Sequence, residues 1–271
     1  MALSDLDNVA LYERETLWNW DYREDSYYRT KLQLIGGMIP SGVKTILDVG
    51  CGNGAIANEL ACRGWVVAGD RSGEALSYVR TPRVQLSVDS LPFKERSFDL
   101  VMSHQVLEHL PDHVFARAIN EMTRVAAGYL LLSIPFRDVV KEARACCAEC
   151  RFKYNVWGHL RSFNRVTDVR RLFPDFALRV HAFCGRENEY MTSVARWACQ
   201  WIGGRWTLQG NALCPNCRSK LQYRATNFPQ LAIAAIAHRL DHLVPKKKAF
   251  WWLVCLLERL APPSQPKKNL V

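Results

Sequence analysis

The chain has 271 residues, 49% hydrophobic and 23% charged, a composition that allows one full α/β domain with an appended element. Lys and Arg number 36 against 26 Asp and Glu, a net charge of +10, and residues 237–271 hold seven basic side chains against two acidic ones, which argues for a contact made by the tail over a basic channel through the whole molecule. No apolar run reaches the ~20 residues of a membrane-spanning helix, and Asp5 and Asp7 fall where a secretory core would begin, so the sequence predicts a cytoplasmic protein with reduced cysteines.

Residues 1–40 are rich in Trp and Tyr and read as a helical cap, a lid before the main domain, ended by Pro40-Ser41-Gly42. From Lys44, apolar runs alternate with helical patterns. Strands are expected at Thr45–Val49, Trp65–Gly69, Val84–Val88, Phe98–Ser103 and Tyr129–Ile134. Helices are expected at Ala55–Arg63, Gly73–Val79 and Asp112–Val125. Continuous apolar strands between helices indicate a parallel sheet covered on both faces, a doubly wound Rossmann-like α/β fold. This domain is drawn over 41–202, with a cysteine loop at 137–160, a helix near Val166–Phe173, a strand at Phe176–Phe183 and helix over 188–202. A second cysteine loop follows at 203–228. Residues 229–271 read as amphipathic C-terminal helices, Pro229–Leu243 and Phe250–Leu260, and a basic tail, its last eleven residues disordered.

The strongest local signal is Leu47-Asp48-Val49-Gly50-Cys51-Gly52-Asn53-Gly54, after a strand and before a helix. Alternate glycines let the backbone turn tightly and approach a ligand, and the helix start offers free N–H groups. The spacing G-x-G-x-G differs from the G-x-G-x-x-G of a pyrophosphate binder, which argues against NAD. Asp70 closes the second strand about twenty residues on, where a carboxylate can accept both hydrogen bonds of a ribose diol. Asp89 closes the third.

Taken together, ILDVGCGNG at 46–54, VVAGD at 66–70, VDSLPFKERSFDLVMSHQVLEHL at 88–110 and LLLSIP at 130–135 resemble the class I S-adenosylmethionine-dependent methyltransferases, in particular the type-11, ubiquinone-biosynthesis-like group. The resemblance spans residues 44–136, with a weaker echo in GHLRSF at 158–163. It implies that Asp48 and the amides near Gly50, Gly52 and Gly54 hold the methionine moiety. It places Asp70 on the ribose, Asp89 and Ser90 on the adenine, and His104 and Gln105 beside the sulfonium and the acceptor. An oxygen acceptor needs a base near neutrality. His104 and His159 are the candidates, whereas His109, within LEHL, reads as a packing residue.

Cys147-x-x-Cys150 and Cys214-x-x-Cys217 supply four thiolates, the set preferred by structural zinc. Cys146 is an alternative to Cys147, and His159 an alternative ligand. The apolar run 249–257 between basic flanks reads either as an interfacial helix making peripheral membrane contact through 246–260, at the inner face of the membrane, or as a helix docked on its own domain. The function expected is methyl transfer to a small-molecule or lipid-linked saccharide or isoprenoid acceptor, at oxygen. The alternatives are an RNA methyltransferase and a non-catalytic cofactor-binding subunit; no RNA-binding fold is seen beside the domain.

Overall fold

The computed structural model describes residues 12–137, 143–210, 212–246 and 248–261. The expected lid begins with helix α1 (Glu15–Trp18), then a 3-10 turn at Tyr22–Glu24 and helix α2 (Ser26–Met38). Asp25 starts α2 by accepting the amides of Tyr27 and Tyr28, which satisfies two of the donors orphaned at a helix start. Strands β1 (Thr45–Val49), β2 (Trp65–Asp70) and β3 (Arg83–Gln85) alternate with α3 (Ala57–Leu60) and α4 (Gly73–Leu76). Strand β4 (Phe98–His104), helix α5 (Asp112–Val125) and strand β5 (Ala126–Pro135) complete the part best anticipated from the chain. A hairpin of β6 (Arg144–Cys146) and β7 (Lys153–Asn155) leads to α6 (Val166–Leu172) and the long strand β8 (Phe176–Glu189). Helices α7 (Ser193–Trp197) and α8 (Phe228–His242) then precede the last strand, β9 (Lys248–Arg259).

One seven-stranded sheet has the order β3-β2-β1-β4-β5-β9-β8. Strands β1 to β5 pair in parallel, and β9 runs antiparallel to both β5 and β8. The carboxyl ends of β1, β2, β3, β4 and β8 therefore share one edge. The pleat sends alternate residues to opposite faces. Leu130 and Leu132 of β5 enter one core cluster, and Leu131 enters the other. Asp99 of β4 fixes the register from below: its carboxylate accepts the Lys44 and Thr45 amides at 2.9 Å each.

Two expectations for the C-terminal region fail here. Phe250–Leu260 is not an amphipathic helix but most of β9, paired from Tyr129↔Glu258 to Pro135↔Trp252 with β5. Leu253, Cys255 and Leu257 fill one core cluster and Val254 and Leu256 the other. A strand buried on both faces is apolar at every position, and periodicity alone does not separate it from a buried helix. Residues 249–257 thus belong to the sheet and cannot lie in a membrane interface, so the contact expected through 246–260 is withdrawn. Residues 229–271 are accordingly no separate helical unit. The tail beyond 261 lies outside the described residues.

Candidate active site and metal centre

The loops after β1, β2, β3 and β4 open onto a cavity of about 350 Å³ at the shared edge of the sheet, within the range of small-ligand pockets. Gly50, Asp70, Ser72, Asp89 and Gln105 line it, together with His109 and Arg117. Tyr12, Glu13 and Trp18 close it from the N-terminal side, as the lid reading expects. Glu13 holds this cover in place by accepting the amides of Gly73 and Glu74 at the start of α4. The Tyr12 carbonyl accepts from Ser72 Oγ and from Trp18 Nε1.

The glycine loop explains its own composition. Gly50, with φ +75°, turns β1 toward the cavity; a Cβ there would sit 2.3 Å from a Val106 methyl. The Gly50 and Cys51 amides donate to the Gly69 carbonyl at 2.7 and 3.0 Å. The Gly52 amide donates to Asp70 Oδ2 at 2.8 Å, and Ser72 N–H to Asp70 Oδ1 at 2.9 Å. Burial lifts the Asp70 pKa above the usual carboxylate range, against the downward pull of those amides.

Of the residues singled out from the sequence for the active site, Gly50, Asp70, Asp89 and Gln105 line the cavity, and six, among them the base candidate His159, do not. Gly52 and Gly54 act through the loop: Gly52 holds Asp70, and Gly54 donates to the Cys51 carbonyl at 3.0 Å. Asp48 is buried within β1, its Oδ1 without a hydrogen-bond partner, and burial followed by the nearby Asp70 pushes its pKa up to about 8. Ser90 is exposed and donates its amide to the Ser87 carbonyl. The expectation that His104 lies beside the reacting atoms is corrected. His104 is buried at the end of β4, neither ring nitrogen is hydrogen-bonded, and burial drives its pKa far below the usual histidine range. The chain reverses at Gln105, φ +60°, so it is Gln105 that reaches the cavity, its amide donating to Ser133 Oγ at 3.2 Å. Asp89 is a fixed carboxylate that accepts from Ser87 Oγ and from Arg117 at 2.6 Å, and these bonds hold its pKa below the usual range.

The histidine that sequence reasoning passed over is His109. It lines the cavity, with its Nε2 3.9 Å from Glu108 and its ring 4.8 Å from that of His159. Burial, with His159 adding to it, lowers its pKa to about 3, so the ring is neutral. Ligand atoms of Glu108, His109 and His159 all lie within 4.8 Å of one another, a spacing that suits one divalent cation. The Glu108-His109 dipeptide was a visible signal; its meeting with His159, fifty residues on, was not.

The four cysteines do converge. Cys147 Sγ is 3.5 Å from Cys217 Sγ, Cys150 Sγ is 3.5 Å from Cys214 Sγ, and all four lie within 4.8 Å. The two turns are built alike. Cys147 N–H donates to the Phe152 carbonyl and Cys214 N–H to the Ser219 carbonyl, and the residues after the second cysteines, Arg151 and Arg218, have φ +60° and +63°. Cys146 points elsewhere, toward the Cys147 and Arg151 carbonyls, and His159 belongs to the other cluster. Four thiols at this spacing, two of them buried, fit a closed tetrahedral zinc site with no open position.

A family model described as a methyltransferase domain matches residues 47–132. A protein of Mycobacterium tuberculosis named as an S-adenosylmethionine-dependent methyltransferase is 38% identical over 109 residues, 37% of this chain and 39% of its own length. The ubiquinone biosynthesis O-methyltransferase of Serratia proteamaculans is 31% identical over 137 residues, covering 38% of this chain and 56% of its own. The chain therefore spans only about two fifths to just over half the length of these relatives. Among solved structures, a methyltransferase from Haloferax volcanii in complex with the Trm112 methyltransferase activator matches with a TM-score of 0.54 at 13% identity, over 97% of this chain and 100% of that one, which shows a shared fold.

Proposed function

We propose that this chain, whose residues 47–132 form a domain of the methyltransferase family, is an enzyme that transfers a methyl group from S-adenosylmethionine to an acceptor oxygen. The observation that carries the reading is Asp70 at the cavity, its carboxylate held by the Gly52 and Ser72 amides beside the left-handed turn at Gly50. A carboxylate anchored by two amides keeps free lone pairs for a diol. When bound, the cofactor supplies a methyl already activated on a sulfonium, which departs as a neutral thioether when the acceptor oxygen takes the methyl. The protein's part is alignment and the exclusion of water. Asp70 orients the ribose end, Gln105 narrows the cavity beside the reacting atoms, and the Tyr12–Trp18 cover shuts out solvent. Asp89, held by Arg117, receives the adenine edge.

The acceptor's hydroxyl proton must leave as the O–CH3 bond forms. His109 lines the cavity; burial makes its ring a weak base alone, so in this reading it takes the proton together with the Glu108 carboxylate 3.9 Å away, which would stabilise the imidazolium, with His159 beside the pair. The same trio supports a second reading, in which a divalent cation held by the three side chains polarises the acceptor hydroxyl. Chelation that abolishes turnover, with recovery on adding back Mg²⁺ or Mn²⁺, separates the second reading from the first. The likeness to a ubiquinone biosynthesis O-methyltransferase and the apolar lining at Leu86, Val88, Val106 and Leu110 support a lipid-linked or isoprenoid acceptor. Zinc at Cys147, Cys150, Cys214 and Cys217 has a structural role, joining the β6–β7 hairpin to the loop before α8.

The test is calorimetric titration of the full chain with S-adenosylmethionine and with S-adenosylhomocysteine, beside the same titration of Asp70→Ala. Binding that is lost in the variant supports the reading. A folded, zinc-replete protein that binds neither ligand refutes it.

A further inference from the structure

Helix α8 is packed inside out. Its fully buried positions are Ala234 and Asp241, whereas Phe228 is 82% exposed and Leu243 80%, with Ile236 and Leu240 exposed between them. These side chains recur at helical spacing and make one apolar stripe facing away from the protein. The neighbouring α7 continues it with Val194, 78% exposed, and Trp197, and Trp201 follows on the next turn. Scattered exposed apolar residues need no explanation, but a contiguous face of this kind marks a contact surface.

Charge identifies the occupant. Residues 190–246 contain seven Lys and Arg and a single acid, Asp241. That acid is buried, accepts the Thr192 amide at 2.9 Å and pairs with Lys246 at 3.0 Å, so within residues 190–246 no exposed carboxylate offsets the basic side chains. Arg205, Arg224 and Arg239 are exposed around the stripe. A second copy of the chain would bring two such rims together. A nucleic acid would meet the arginines but leave the Leu, Ile and Phe side chains without a partner. An anionic bilayer answers both features, with lipid phosphates against the rim, Trp rings at the headgroup level and the aliphatic stripe below.

We propose that the α7–α8 face docks the protein on an anionic lipid surface, lying in the interface without crossing it. This surface is separate from residues 249–257, which are committed to the sheet. It stands independently of the methyl-transfer reading, and topology links the two: β8 ends at the same sheet edge as β1, β2 and β4, so the segment bearing α7 and α8 leaves the fold from the edge that carries the cavity. A lipid-embedded acceptor would be presented on that side.

The experiment is flotation of the full chain with phosphatidylcholine vesicles and with vesicles containing roughly a third phosphatidylglycerol. Three variants are run beside it: Ile236→Asp with Leu240→Asp, Arg239→Glu, and Trp65→Ala as a control apolar site at the far edge of the sheet. The proposal expects flotation with the anionic vesicles. The double variant should lower the vesicle partition coefficient about tenfold or more, Arg239→Glu by about fivefold, and Trp65→Ala not at all. Circular dichroism confirms that each variant is folded; their charges replace exposed side chains, so the fold should persist. Absence of flotation with a folded wild-type chain overturns the proposal. So does flotation unchanged in the double variant. A dimer that the double variant dissociates, without vesicle binding, overturns it in favour of a second copy. Cofactor binding, measured separately, is unaffected by any of these outcomes.

Discussion

The Gly52 amide donates to Asp70 Oδ2 at 2.8 Å, and this one bond ties the loop after β1 to the end of β2. It makes the glycine motif and the acid eighteen residues later a single structural unit. Burial raises the Asp70 pKa, so protonation reaches it earlier than an ordinary carboxylate as pH falls. S-adenosylmethionine affinity should therefore weaken with acidification, and Asp70→Asn should bind about 10- to 100-fold more weakly than wild type. Titration at several pH values reads both effects.

Gly50→Ala should be destabilising, because its Cβ meets a Val106 methyl at 2.3 Å and its φ of +75° strains any side chain. A loss of about 1–3 kcal/mol in denaturant unfolding is expected. Adding Val106→Ala should recover the steric part but not the conformational part. Full recovery would place all of the strain in the contact.

Asp48 gives the protein an unusual stability profile. Its folded pKa is pushed up to about 8 by burial, so between the ordinary carboxylate range and that value the folded state holds a proton that the unfolded state has lost. Stability from this group is full at acidic pH and declines as pH rises toward 8. Asp48→Asn should flatten that decline, raising the melting temperature at pH 8 by several degrees relative to its effect at pH 5. Parallel profiles for the two proteins would contradict the assignment.

His109→Gln and His159→Gln separate acceptor chemistry from cofactor binding. If the Glu108–His109–His159 group takes the acceptor proton, each variant should lower kcat by about 10²-fold or more while the calorimetric affinity for S-adenosylhomocysteine stays within a few-fold of wild type. His104→Gln tests the corrected position: His104 does not line the cavity, so its effect should fall on thermal stability instead.

Metal analysis of protein purified without chelator should find one zinc per chain, falling to none in Cys214→Ser. Removing zinc should lower the melting temperature by several degrees, because the two cysteine turns would lose their shared ion. Cys146→Ser should keep the full zinc content, since its thiol is directed to the Cys147 and Arg151 backbone carbonyls and not toward the other thiols.

Strands β1, β2, β4 and β5, helix α5 and the glycine–acid pairing of β1 and β2 were legible in the chain because each signal is local; the third strand was expected at Val84–Val88 but ends at Gln85, so Asp89 lies in the loop beyond it. Apolar runs of strand length, alternate glycines and a terminal Asp stand within a few residues of one another. The cysteine pairs were equally plain, since C-x-x-C sets its own turn, although only folding chose Cys147 over Cys146. What the tertiary structure decided is whatever depends on the far side of a contact. Residues 249–257 are apolar throughout whether strand or helix, and only pairing with β5 and β8 made them β9. His104 and Gln105 are neighbours in sequence, and the reversed backbone at Gln105 alone determines which of them reaches the cavity. The outward stripe of α8 reads in sequence as an ordinary amphipathic face, since periodicity tells that a helix has an apolar side but not which way that side points.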